Sequence, residues 1–247
     1  MGSAAIGALR ADRDELLDIT GHLTDDDWKS ESGCRGWSVQ DVVTHLGALY
    51  WLVVDPTVLP DTGGAPTEEA QARAVESRRA WSSAQVVDDY ASVSAKALDV
   101  MVELETQDFE LPLGDLGTYH ASKLANAFAF DHYTHIRADL FQPRGPLTGP
   151  APASDALRLA PALDWIEMAA PQQNAAVLAE IPGAIGITVT GAVTRTISIG
   201  TGDAVVRVRC DAHDLVLWST QRASLPAVAE VTGPVDAVAA AARLHVF

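Results

Sequence analysis

Residues 142–153, QPRGPLTGPAPA, hold four prolines and two glycines, and helical periodicity stops there. Proline has no backbone N–H to donate and pushes its predecessor out of the helical region, so no regular element runs through this stretch. It separates a helical half from a half of short β-rich runs, and we read residues 1–150 and 151–247 as two domains. Before the break, residues 4–23, 38–54, 84–104 and 124–140 repeat apolar side chains at the three- and four-residue steps of amphipathic helices. Residues 68–79 read as a further, exposed helix. Four long helices in so short a span predict an antiparallel four-helix bundle. After the break, residues 154–170, 172–180 and 214–222 read as helices, and 185–193, 196–199, 205–210 and 228–232 as strands. The expected class is α+β, a bundle followed by a smaller α+β domain with a mostly antiparallel sheet.

The segment 124–140, LANAFAFDHYTHIRADL, carries an anomaly. Its apolar stripe runs Leu124, Phe128 and then Asp131 and His135. A carboxylate and an imidazole on a buried stripe are costly unless they pair or hold a metal. Four residues apart, they lie one turn from each other, roughly 6 Å along the axis. A second anomaly sits in the helix 38–54, which Ser38 and Asp41 open with a capping-box pattern. There His45 shares its side with Val42, Leu49 and Leu52. Facing helices of a bundle can therefore present His45, Asp131 and His135 to one point, as metal sites in bundles are built. Three such ligands leave a coordination position open, which is the mark of a catalytic zinc site, and non-haem iron takes a similar set. His132 points about 100° away on the same helix, and His120 lies about 16 Å along the axis, so neither is read as a ligand. Asp41 is read as a cap in preference to a partner for the His45 ring.

With 17 basic against 33 acidic residues, the formal net charge is −16. Such a surface repels phosphate backbones and anionic headgroups, which argues against nucleic acid and membrane as partners. No apolar run is long enough to span a bilayer. Cys34 and Cys210 are far apart, in no ligand spacing, and no secretion leader opens the chain, so two reduced thiols in the cytoplasm are expected. The oligomeric state is left open.

GWSVQDVVTHL, residues 36–46, is followed about ninety residues later by the Asp131-x-x-x-His135 pair, and AVVRVRCDAHDLVLWSTQR spans residues 204–222. Together these resemble the mycothiol-dependent maleylpyruvate isomerase family of the DinB-like superfamily, with its sterol-carrier-protein-like C-terminal domain. The resemblance implies zinc held by His45, Asp131 and His135, and it favours zinc over iron. It also implies mycothiol as cosubstrate, and an Arg222 that is catalytic and binds the thiol cofactor or a substrate carboxylate. This chain has Asp131 where those isomerases have glutamate, and Gln221 where relatives often have glycine. The implied activity is mycothiol-dependent cis–trans isomerisation or thiol S-transfer on a small unsaturated acid. Two other readings stand beside it: a DinB-like metal-dependent hydrolase indifferent to thiol, and a non-catalytic small-ligand binding protein.

Overall fold

A computed structural model describes residues 2–247. The chain forms two compact units, Met1–Ala153 and Ser154–Phe247. In the first, α1 (Ala4–Thr20), α2 (Asp25–Lys29), α3 (Val39–Val54), α4 (Thr67–Glu76) and α5 (Ser83–Leu104) are followed by β1 (Glu110–Pro112) and β2 (Thr118–His120). Helix α6 (Leu124–Thr134) then runs on as a π-helix over His135–Leu140.

The starts of these helices are written locally. Ser38 and Asp41 form the capping box of α3, Ser82 and Gln85 that of α5, and Ser3 caps α1. Helix α3 packs on α5, α1 on α5 and α6, and α6 touches both α3 and α5. Their apolar faces enclose Ile6, Leu9, Leu46, Val93, Met101 and Phe128, all buried in one cluster. Three features depart from expectation. Residues Asp25–Lys29, for which no element is read from the sequence, form α2, because Thr24 and Asp27 complete a capping box of their own. Residues 113–117 form the turn of an antiparallel β1–β2 hairpin, with Gly114 and Gly117 at φ values of 59° and 117° that other residues resist. The helix 124–140 is α-helical only as far as Thr134.

The second unit holds α7 (Ala156–Gln173), α8 (Ala175–Leu178), β3 (Ala184–Thr190), β4 (Arg195–Ile199) and β5 (Ala204–Asp211). It continues with α9 (Ala212–Ser219), α10 (Leu225–Val228), β6 (Ala229–Thr232) and α11 (Val235–Ala241). The sheet order is β4-β3-β5-β6. The outer pairings are antiparallel and the central β3–β5 pairing is parallel, so the sheet is mixed. Alternation of buried Val206, Val208 and Cys210 with exposed Arg207 and Arg209 marks β5 as a strand but is the same for either neighbour direction, which is why the parallel pair was invisible. Gln221 adopts φ 56°, a left-handed conformation costly for a side chain, and its Nε2 donates to the Leu244 carbonyl at 2.6 Å. Among the described residues no helix is long and apolar enough to cross a membrane.

Cys210 is 5 % exposed. Burial, with Asp214 and Asp211 nearby, pushes its thiol from 9.0 up to about 12. A raised folded value means that the stability of the neutral thiol is present below pH 9 and is lost as pH climbs toward 12. In a Cys34→Ser protein, an aromatic disulfide reagent at about pH 8 is expected to leave Cys210 unlabelled until the chain is unfolded. Rapid labelling of the native protein would contradict its burial.

Candidate metal centre

His45 comes from the middle of α3, Asp131 from α6, and His135 opens the π-helix that continues α6. The two histidines are 5 % and 8 % exposed, whereas Asp131 keeps 26 % of its side-chain surface in solvent. Asp131 stands between the rings: Oδ2 lies 3.5 Å from His45 Nε2, and Oδ1 lies 3.5 Å from His135 Nε2. The rings meet edge to face at 4.8 Å, and Trp37 lies 5.2 Å from His45. The structure thus brings together the three side chains singled out in the sequence, from helices some ninety residues apart.

The donor set fits a divalent ion. Two atoms each about 2.1 Å from a tetrahedral zinc lie roughly 3.4 Å apart, which matches both separations and is long for a hydrogen bond. Asp131 Oδ2 is buried without a hydrogen-bond partner, a state that a bound cation would relieve. Burial alone would push the Asp131 carboxyl up, but the imidazoles of His135 and then His45 hold it well below the usual carboxylate range. Burial likewise disfavours charge on His135, yet Asp131, Cys34 and Asp139 raise it well above an ordinary histidine.

The other polar residues fall into distinct places. His132 is fully buried and turned away, its Nδ1 donating to the Phe128 carbonyl at 2.9 Å, with the Tyr50 ring 4.9 Å off. Burial pulls its pKa down to about 4. Asp41 serves the Ser38 cap through Oδ2, while His45 Nδ1 is buried without a hydrogen-bond partner. His120 caps the turn before α6 through Ser122 and reaches Asp108 at 3.2 Å. Arg222 lies in the second unit just beyond α9, its backbone N–H donating to the Leu217 carbonyl at 2.8 Å and Nη1 to the Thr220 carbonyl at 3.4 Å.

Two residues at the site were missed. Asp139, wholly buried, receives a hydrogen bond from His135 Nδ1 at 2.9 Å. The pattern Asp131, His135, Asp139 in four-residue steps was there to be read. Cys34 Sγ lies 3.5 Å from the same Nδ1, a contact across 101 residues that no local spacing announces.

The family described as the mycothiol maleylpyruvate isomerase N-terminal domain matches residues 9–141. The chain belongs to that family. Its matched region carries His45, Asp131, His135 and Asp139. No curated protein matches the sequence. The fold resembles a solved structure of the mycothiol-dependent maleylpyruvate isomerase at TM-score 0.59 and 14 % identity, over 94 % of this chain and 93 % of that one. A histidine-to-alanine mutant of that isomerase gives TM-score 0.60 at the same identity and coverage.

Proposed function

We propose that the protein is a metal-dependent enzyme of low-molecular-weight-thiol chemistry, a mycothiol-dependent cis–trans isomerase or thiol S-transferase acting on a small unsaturated acid in the cytoplasm. The observation that carries this reading is the convergence of His45, Asp131 and His135 at ligand spacing. Family membership and the likeness of fold support the thiol. On this reading the first unit is a DinB-like bundle and the second a sterol-carrier-protein-like domain.

His45 and His135 would hold a divalent ion through the nitrogens that face Asp131, with Asp131 as the third ligand and zinc as the favoured ion. A bound zinc supplies the positive charge that lets a thiol stand as thiolate near neutral pH. The two rings are largely closed off from water, whereas Asp131 keeps part of its surface in solvent. Arg222 would take a carboxylate of thiol or substrate in a bidentate grip. The cosubstrate thiolate adds to the conjugated double bond, the resulting single bond turns, and expulsion of the thiolate restores the double bond in the other geometry. The thiol is regenerated, so atoms balance; retention of sulfur and protonation of the carbanion give S-transfer instead.

The test is elemental analysis of the zinc-supplied protein, then turnover of small cis-unsaturated acids with and without mycothiol. Near-stoichiometric zinc and thiol-dependent turnover support the reading. Thiol-independent hydrolysis, or zinc near zero, overturns it. In the same assay Arg222→Ala is expected to raise KM for the thiol or the acid about tenfold or more, the loss of a charge-assisted bidentate contact.

A further inference from the structure

His135 has a carboxylate on either side along its own chain segment. Asp131, four residues before, faces Nε2 at 3.5 Å, and Asp139, four residues after, faces Nδ1 at 2.9 Å. A continuous α-helix would rotate position 139 about 80° away from position 131. The π-helix at His135–Leu140 turns less per residue and brings Asp139 back into line. An ionised carboxylate only accepts, so this hydrogen bond holds a proton on Nδ1, and Nε2, on the Asp131 side, is the nitrogen that would give up its proton to a bound metal.

The place of Asp139 is built with care. A Cβ at Gly33 would stand 2.7 Å from Asp139 Oδ1 and 2.9 Å from its Cα, so only glycine leaves room for this approach. Gly33 N–H donates to the Asp139 carbonyl at 2.7 Å, and Arg144 Nη2 donates to the Gly33 carbonyl at 2.8 Å. The same Arg144 nitrogen lies 3.6 Å from Asp139 Oδ1 and offsets its charge. Nothing comparable stands behind His45 Nδ1, which lacks a hydrogen-bond partner.

We infer that Asp139 is a positioning residue that holds His135 with its proton on Nδ1 and so dedicates Nε2 to the metal, with Gly33 kept small to admit it. This rests on the metal-centre reading above and adds which nitrogen ligates and what orients it. The rival arrangement is Cys34, His135 Nδ1 and Asp139 as ligands of one ion, since their donor atoms also lie within 4.8 Å of one another. A separation of 2.9 Å between Nδ1 and Asp139 is a hydrogen bond, and it is short for two ligands of one zinc, roughly 3.4 Å apart. Carboxylates placed in this way behind a ligating imidazole fix its tautomer and raise its basicity.

The experiment is long-range ¹H–¹⁵N correlation on the zinc-loaded full chain, with zinc affinity measured by chelator competition in the variants. The wild type is expected to show His135 protonated at Nδ1. Asp139→Ala should weaken zinc about ten- to hundredfold, and Asp139→Asn, which keeps an acceptor oxygen, should recover part of the loss. Gly33→Ala, which leaves the carboxylate's chemistry alone, should weaken zinc in the same direction. A His135 proton on Nε2, or a folded Asp139→Ala protein binding zinc within about twofold of wild type, overturns the inference while leaving the metal centre standing. Wild type that takes up no zinc removes the metal centre itself, and this inference with it. Should Asp139→Ala fail to fold, the wild-type spectrum decides alone.

Discussion

With His45, Asp131 or His135 replaced by alanine, zinc affinity is expected to fall by at least about a hundredfold and thiol-dependent turnover to drop to background. The magnitude follows from comparison: loss of a residue that merely orients a ligand weakens metal about ten- to hundredfold, and loss of a donor atom exceeds that. Each of the three side chains offers one ligand atom, and these atoms lie within 4.8 Å of one another, so removing any one leaves a two-ligand set open to water. His132→Ala is the control from the same turn. Its Nδ1 is committed to the Phe128 carbonyl and its ring is packed against Tyr50 and Tyr90, so the variant should lose thermal stability and keep its zinc. Elemental analysis and chelator competition read both quantities. Equal loss of zinc from all four variants would mean that the ion is not held by these atoms.

Arg137→Ala is expected to destabilise the first unit by about 3–5 kcal/mol, the cost of breaking a buried ion pair from one side. Arg137 keeps only 3 % of its side-chain surface, and Nη2 donates to Asp12 at 2.8 Å and to Glu15 at 2.7 Å on α1. Its Nε donates to the Ala153 carbonyl at 2.6 Å, and its guanidinium lies 4.6 Å from the Tyr133 ring. Glu15 in turn accepts from the Ala153 N–H at 2.9 Å. One side chain therefore ties the π-helix to α1 and to the residues leading out of the unit. Removing it leaves the wholly buried Asp12 without that countercharge. Urea unfolding of wild type and variant measures the difference, and a loss below about 1 kcal/mol would show that water replaces the guanidinium at little cost.

The legible parts of this protein are those that a few neighbouring residues encode. The Ser38–Asp41 capping box, the helical phase of Asp131 and His135, and the inward side of α3 at His45 follow from three- and four-residue spacing, and each is found in the structure. The Thr24–Asp27 box is equally local, although a run of aspartates by itself carries no apolar stripe to mark a helix. The parallel β3–β5 pair and the hairpin at 110–120 were not legible, since strand alternation is blind to the direction of the neighbour and three-residue strands carry too little pattern.

The sequence by itself determined which side of each helix is apolar and which polar residues are stranded there, because backbone geometry turns spacing directly into direction. The tertiary structure alone decided which of those residues meet. Cys34 and Gly33 reach the π-helix more than a hundred residues away, Arg137 finds Asp12 across 125 residues, and Asp139 turns behind His135 only where the helix widens. Contacts of that range are set by how whole elements pack around a shared core, and no stretch of chain carries them locally.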